Sequence, residues 1–136
     1  MIRHRLRART CLVAALLFAA STAGLQAQPP GLTTKVLLKT TYSDDAAKDA
    51  LVLSAELAPM ASTGRHIHPG DEYGTVLEGE LEVQVEGQAP RRIKAGEAYH
   101  NAKGVVHETR NPTQSTTRLL STFIVEKGQP VIQPVK

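Results

Sequence analysis

Short strand-like segments separated by turn residues constrain the fold of this chain more than any other feature of its sequence. Residues 81–86 (LEVQVE) show the pattern clearly, because apolar and polar side chains alternate as in a strand with one buried face. The other segments of this kind are residues 35–41, 50–57, 73–77, 91–94, 98–101, 105–110 and 117–127. With a histidine-containing segment between them, they give about nine short strands and no helix of normal length, which predicts one all-β domain, a sandwich or a closed barrel.

The interior of such a domain must be packed mainly by aliphatic side chains. Beyond residue 27 the aromatic residues are Tyr42, Tyr73, Tyr99 and Phe123. A binding pocket is therefore predicted to be aliphatic and polar, and not a surface for aromatic stacking.

Residues 64–72 (GRHIHPGDE) place two histidines two positions apart. On a strand, alternate side chains point to the same face, so the imidazoles of His66 and His68 are predicted to lie together. The Pro-Gly-Asp turn that follows can bring the carboxylate of Glu72 back toward them. Two neutral imidazoles and a carboxylate suit a first-row divalent metal ion. His107, at the end of a later strand-like run, is the candidate for a third imidazole.

Two stretches of the sequence together resemble the two conserved motifs of the cupin superfamily. The first motif, G(x5)HxH(x3–4)E(x6)G, is matched by His66, His68, Glu72 and Gly79, but its leading glycine is not in register. The second, G(x5)PxG(x2)H(x3)N, is matched by Gly96, Gly104, His107 and Asn111, with Ala102 in place of the proline. The resemblance covers roughly residues 50–125, most of the chain beyond the first 27 residues.

The resemblance implies a double-stranded β-helix, or jelly-roll barrel, in residues 46–127. Residues 28–45 are expected to form an N-terminal segment and first strand, and residues 128–136 an extended tail. One divalent metal ion (Mn, Fe, Ni, Cu, Co or Zn) is implied, with coordination positions left for water, substrate or dioxygen. Its implied ligands are His66, His68, Glu72 and His107. The alternative is a barrel that has lost its metal. A homodimer, formed through the N-terminal strand or a sheet face, is also expected.

Side chains beside the motifs are further candidates for the chemistry. Tyr73 and Tyr99 could each supply a hydroxyl as a proton donor, and Glu72 could act as a base if it releases the metal. Core packing is the alternative for both tyrosines. His100 is predicted either to be a surface residue or to lie behind the metal ligands, and Arg65 to be either solvated or a contact for an acidic substrate.

Residues 1–27 have the layout of a secretory signal peptide. Four arginines and no acidic residue come first, residues 12–20 form a short apolar core, and small and polar residues follow. Cleavage is expected after Ala27 or after Ala23, and an uncleaved anchor helix is the alternative. The protein is therefore expected in the periplasm or outside the cell, with no stable membrane insertion after leader removal, because no later segment is apolar enough to span a bilayer.

The leader also carries the positive charge of the chain. The formal net charge is +3, from 16 basic and 13 acidic residues. Residues 1–27 contain four of the arginines and none of the acids, which leaves 12 basic against 13 acidic residues, or −1. Nucleic acid is not an expected partner, because proteins that bind it need a basic surface. Cys11, the only cysteine, lies in the leader as well.

Three interpretations of the function follow. The first is a mononuclear metal-dependent enzyme of the oxygenase, isomerase or lyase type, acting on a small oxygen-rich molecule in the cell envelope. The second is an exported barrel that binds a metal or small ligand without turnover, and the third is a purely structural barrel. An open mouth beside a free metal position favours the first, and a mouth plugged by bulky side chains favours the other two.

Overall fold

The computed structural model describes residues 28–136, and these residues form ten β-strands and no helix. The strands are β1 (Leu32–Thr41), β2 (Lys48–Leu57), β3 (His66–Ile67), β4 (Gly70–Glu78), β5 (Glu80–Val85), β6 (Arg91–Lys94), β7 (Ala98–Asn101), β8 (His107–Arg110), β9 (Thr117–Glu126) and β10 (Gln133–Pro134). The predicted all-β fold is confirmed. Residues 1–27, where the signal peptide is predicted, lie outside the described part of the chain.

The ten strands form two five-stranded antiparallel sheets. One sheet has the strand order β1-β2-β9-β4-β7, and the other has the order β10-β3-β8-β5-β6. Strands that are distant in sequence are neighbours in both sheets, as in a double-stranded β-helix. Within residues 28–136 there is no helix long and apolar enough to cross a membrane.

The strand alternation places apolar side chains between the two sheets. In β9 every second residue from Thr117 to Val125 is buried, and Leu119 and Phe123 are among them. Two apolar clusters result. The larger contains Leu32, Leu57, Val76, Leu81, Val83, Ile93, Tyr99 and Leu119. The smaller contains Leu51, Phe123 and Val125.

The link between β3 and β4 is shorter than the turn predicted at residues 69–71. Strand β4 already begins at Gly70, so only His68 and Pro69 carry the chain from one sheet to the other. At Gly70 the backbone of β4 already lies close to that of β9. A Cβ at this position would be 1.8 Å from the carbonyl oxygen of Ile124 on β9, so only glycine fits. This short crossing holds the histidine strand of one sheet next to the first residues of β4 in the other.

Both ends of the described chain take part in the sheets. Strand β1 pairs with β2 along its length, with one irregularity between Val36 and Leu38. Residues 128–136, predicted to form an extended tail, contribute β10, which pairs with β3 beside His66. The C-terminal segment therefore lies directly against the strand that carries the first histidine.

Candidate metal centre

Three buried histidines meet on the inner side of the second sheet. His66 on β3 and His107 on β8 are direct cross-strand partners, and His68 follows β3 by one residue. One ring nitrogen from each residue lies within 4.8 Å of the others. Each histidine is no more than 3% exposed. The spacing of two between His66 and His68 brings both rings inward even though only the first belongs to the strand.

The hydrogen bonds of the three rings fix which nitrogen faces the centre. Each Nδ1 lies within hydrogen-bonding distance of a backbone carbonyl oxygen. The distances are 2.8 Å from His66 to Gly64, 2.6 Å from His68 to Val131 and 2.9 Å from His107 to Val105. Because a carbonyl oxygen only accepts, each Nδ1 carries the proton, and each Nε2 presents a lone pair. This is the arrangement in which a protein holds neutral imidazoles as metal ligands.

Glu72 approaches the histidines from the opposite sheet. It lies on β4 and is 5% exposed. Its Oε2 atom is 3.3 Å from Nε2 of His68 and 3.7 Å from Nε2 of His107. Both of these nitrogens are buried and have no hydrogen-bond partner of good geometry among the described residues. Two lone pairs that face a carboxylate repel it unless a proton or a cation lies between them, so these residues fit a bound metal ion.

Three further side chains hold the Glu72 carboxylate in place. The Tyr99 hydroxyl and the Ser121 hydroxyl donate to Oε1, over 3.1 and 2.9 Å. The Asn101 amide donates to Oε2 over 2.8 Å. Tyr99 and Asn101 come from β7, and Ser121 comes from β9, the two strands that flank β4. The carboxylate is thus fixed by both neighbouring strands of its own sheet.

The charge states of the centre suit a cation. Burial lowers the pKa of His66 to about 4, so this imidazole is neutral at pH 7. Burial alone would raise the pKa of Glu72, but the adjacent rings of His107 and His68 and the hydrogen bond from Asn101 outweigh it and hold that pKa well below its ordinary value. Burial and the negative charge of Glu72 raise the pKa of Tyr99 well above its ordinary value, so Tyr99 remains a hydrogen-bond donor.

Not every predicted site residue lies at the centre. The structure brings together His66, His68, Glu72, Tyr99 and His107. The catalytic assignment of Tyr73 is not supported, because successive strand residues face opposite sides and Glu72 already points inward. Tyr73 is 47% exposed on the outer face of its sheet.

Two other predicted candidates also lie away from the histidines. The ring of His100 stacks on that of Tyr73, with 4.8 Å between the ring centroids, so His100 is a surface residue, one of the two predicted alternatives. The guanidinium of Arg65 pairs with Glu86, and half of each side chain is exposed. Arg65 is therefore solvated and does not face the centre.

Three residues of the centre were not recognised in the sequence. The signal at Ser121 is a polar residue among the apolar ones of its strand. Asn101 follows His100 on β7, and the alternation of the strand turns only Asn101 inward. Gly74 gave no signal, although a Cβ there would lie 2.1 Å from the Tyr99 ring, so the glycine makes room for that ring.

A cavity of about 410 Å³ opens onto the centre. His66, His68 and Glu72 line one part of it, and most of the remaining wall is aliphatic. This agrees with the aliphatic and polar pocket predicted from the scarcity of aromatic residues. Its volume lies in the range of sites that bind small molecules.

Two facing antiparallel sheets with three histidines inside define a double-stranded β-helix that could hold a metal ion. The sequence profile of the cupin domain family (Cupin_2) matches residues 53–132, so the chain belongs to this family.

Known proteins resemble the chain to different extents. A relative by sequence is the HTH-type transcriptional regulator PuuR of Escherichia coli K12, 30% identical over 87 residues; the match covers 63% of this chain and 46% of PuuR. The chain therefore spans less than half the length of this curated relative.

Solved structures share the fold. A double-stranded β-helix protein from Klebsiella pneumoniae has a TM-score of 0.63 at 20% identity, over 81% of this chain and 90% of that one. The polyketide cyclase RemF from Streptomyces resistomycificus has a TM-score of 0.62 at 21% identity, over 83% of this chain and 77% of that one. At these identities the likeness concerns the fold alone.

Proposed function

We propose that the chain is a mononuclear metal-dependent enzyme of the oxygenase type, which acts on a small molecule that presents oxygen atoms to the metal. One observation carries the proposal: three buried imidazoles, each with its Nδ1 on a backbone carbonyl, converge beside a buried carboxylate. The proposed ligands are His66, His68, Glu72 and His107. A divalent ion bound there would supply Lewis acidity and, for a redox metal, electron transfer.

The chain's own residues have distinct parts in this proposal. Backbone carbonyls hold the Nδ1 protons of the three histidines and so fix the orientation of each ring. Glu72 is assigned to metal binding and not to proton transfer, because Tyr99, Ser121 and Asn101 hold its carboxylate beside the histidines. Tyr99 is a positioning residue, since its hydroxyl holds the Glu72 carboxylate.

Metal analysis of the purified full chain tests the ligand set. We expect about one equivalent of a divalent metal per chain, and its loss in the double variant His66→Ala/His107→Ala. His100→Ala is the matched control, because His100 is an exposed histidine of the same barrel. Absence of metal after reconstitution with Mn, Fe, Co, Ni, Cu and Zn, or equal metal in the double variant, contradicts the proposal.

Turnover is tested separately from metal binding. The metal-loaded protein is screened for oxygen uptake with catechols, flavonols and thiols, and the double variant serves as the blank. Uptake in the loaded protein alone supports an oxygenase. Metal binding without turnover in a broad screen supports a non-catalytic barrel that binds a metal or small ligand. That alternative is favoured by the similarity to PuuR, which is a transcriptional regulator by name.

We further propose that the protein is exported and forms a homodimer. The predicted signal peptide supports export, and its test is cell fractionation together with the mass of the mature N-terminus. Strand β1 supports the dimer, because within residues 28–136 it pairs with β2 alone and exposes about half of Val36, Leu37 and Leu38. An unpaired apolar edge of this kind favours association with a second chain.

A further inference from the structure

The wall of the cavity beside the candidate metal centre is mostly apolar. Its polar lining residues are those of the centre, with Tyr99 and Ser121, and also Gln28, Thr34, Thr63 and Thr109. The rest of the wall comes mainly from apolar side chains of both sheets and the C-terminal segment. These include Leu32, Leu53, Leu57, Leu119, Val131 and Ile132. A ligand that fills the cavity must therefore place an apolar body against these side chains.

Charge on the wall restricts the ligand further. Glu72 is the only acidic residue that lines the cavity, and none of the lysines or arginines within residues 28–136 lines it. Lys39, on the inward side of β1, is instead paired with Asp49 at 3.1 Å. A carboxylate or phosphate away from the metal would therefore be buried without a counter-ion, which is strongly unfavourable.

Apolar side chains reach close to the centre. The hydroxyls of Tyr99 and Ser121 both already donate to Glu72, so they are engaged there. The partly buried Leu53 and Val131 line the cavity and pack on the smaller apolar cluster, and the Val131 carbonyl lies 2.6 Å from Nδ1 of His68. A ligand bound at the metal therefore meets apolar side chains next to its oxygen ligands.

We propose that this site takes an uncharged, largely aliphatic molecule whose oxygen ligands bind the metal. The inference rests on the proposed metal site and names the substrate class for it. A cavity of about 410 Å³ has the volume of roughly a dozen waters at ~30 Å³ each, enough for a chelating head and a short alkyl chain. Dicarboxylic acids do not match this wall, because no lysine or arginine among the described residues lines it.

A series of alkyl hydroxamic acids tests the inference by calorimetry on the metal-loaded full chain. The hydroxamate binds the metal, and the alkyl tail grows from acetohydroxamic to octanohydroxamic acid. Affinity is expected to rise about fourfold for each added methylene until the cavity is full. The monohydroxamate of suberic acid, which differs from octanohydroxamic acid by a terminal carboxylate, is expected to bind at least about tenfold more weakly. Equal affinity along the series, or for this last pair, overturns the inference.

A variant pair on one strand adds a control. Leu53→Lys places a cation in the cavity wall and is expected to shift the preference toward the carboxylate-ended compound. Val52→Lys, the adjacent residue on the outer face, is expected to leave the preference unchanged. If Leu53→Lys does not fold, the series on the unmodified protein still decides. Failure to load metal refutes the proposed metal site, whereas tight metal binding without a chain-length effect refutes only the substrate class.

Discussion

Removal of the His66 imidazole should weaken the acid sensitivity of the metal-free protein. In the folded chain burial lowers the pKa of His66 from 6.5 to about 4. At pH 8 the residue is neutral in the folded and unfolded states alike. As the pH falls below 6.5, the unfolded chain binds a proton at this position and the folded chain does not. The free energy of unfolding therefore falls with decreasing pH, by about 1.4 kcal/mol per pH unit.

The magnitude follows from the two pKa values. Between pH 8 and pH 4.5 the neutral, buried His66 should cost about 2 to 3 kcal/mol of stability. Glu72 acts in the same direction at lower pH, because its pKa is lowered on folding and its stabilisation is lost as the pH falls below 4.5. The window above pH 4.5 therefore isolates the histidine. The expected loss is a large share of the ~5–15 kcal/mol by which domains are stable.

Urea unfolding of the chelator-treated protein at several pH values measures this effect. The chain has no tryptophan, so far-UV circular dichroism is the suitable signal. The pH dependence of His66→Gln should be shallower than that of the unmodified protein by about 2 to 3 kcal/mol over this range. His100→Gln, at an exposed histidine, should follow the unmodified protein. Parallel curves for His66→Gln and the unmodified protein would refute the reasoning.

Four other changes have distinct expected outcomes. Tyr99→Phe removes a donor to Glu72 and should lower the free energy of unfolding by about 1 kcal/mol and weaken metal affinity, measured by urea unfolding and metal titration. Gly74→Ala forces a methyl group into the Tyr99 ring and should cost about 1–3 kcal/mol in the same unfolding assay, but much less in a Tyr99→Ala background. Asn111→Ala should cost about 2–4 kcal/mol with little change in metal affinity, because its buried amide donates to three backbone carbonyls. Leu38→Lys on the edge strand should convert the proposed dimer to monomers in sedimentation, and an unchanged mass would place the interface elsewhere.

The sequence predicted a strand well where every second residue of the strand is buried. Residues 117–127 are predicted to be a strand, and β9 runs from Thr117 to Glu126 with every second side chain buried. The aliphatic wall of the cavity was likewise foreseeable, because the composition offers few aromatic residues. A strand with one buried face is recognised from the local pattern of its residues. The aliphatic character of the cavity follows from the composition of the chain.

The hydrogen-bond donors to Glu72 come from distant parts of the chain, and the sequence alone does not reveal that they meet it. Asn101 and Ser121 lie 29 and 49 residues away along the chain. They reach the carboxylate only because the register of three strands sets Asn101 and Phe123 opposite Glu72 and sets Ser121 opposite Gly74. Register in antiparallel sheets is fixed by the whole packed face, so local patterns do not reveal which polar residue meets which.

The residues of the candidate metal centre come from both sheets, and hydrogen bonds hold them in place on each sheet. His66 and His107 belong to one sheet, and Glu72 belongs to the other, with only His68 and Pro69 between the strands that carry His66 and Glu72. A shift of either sheet would move the carboxylate relative to the imidazoles. Hydrogen bonds from the two strands flanking Glu72 fix the carboxylate on its own sheet, and backbone carbonyls oppose rotation of the imidazole rings. Pre-positioned donors of this kind reduce the reorganisation that binding a cation requires, so the supports serve affinity for a metal as much as stability of the fold.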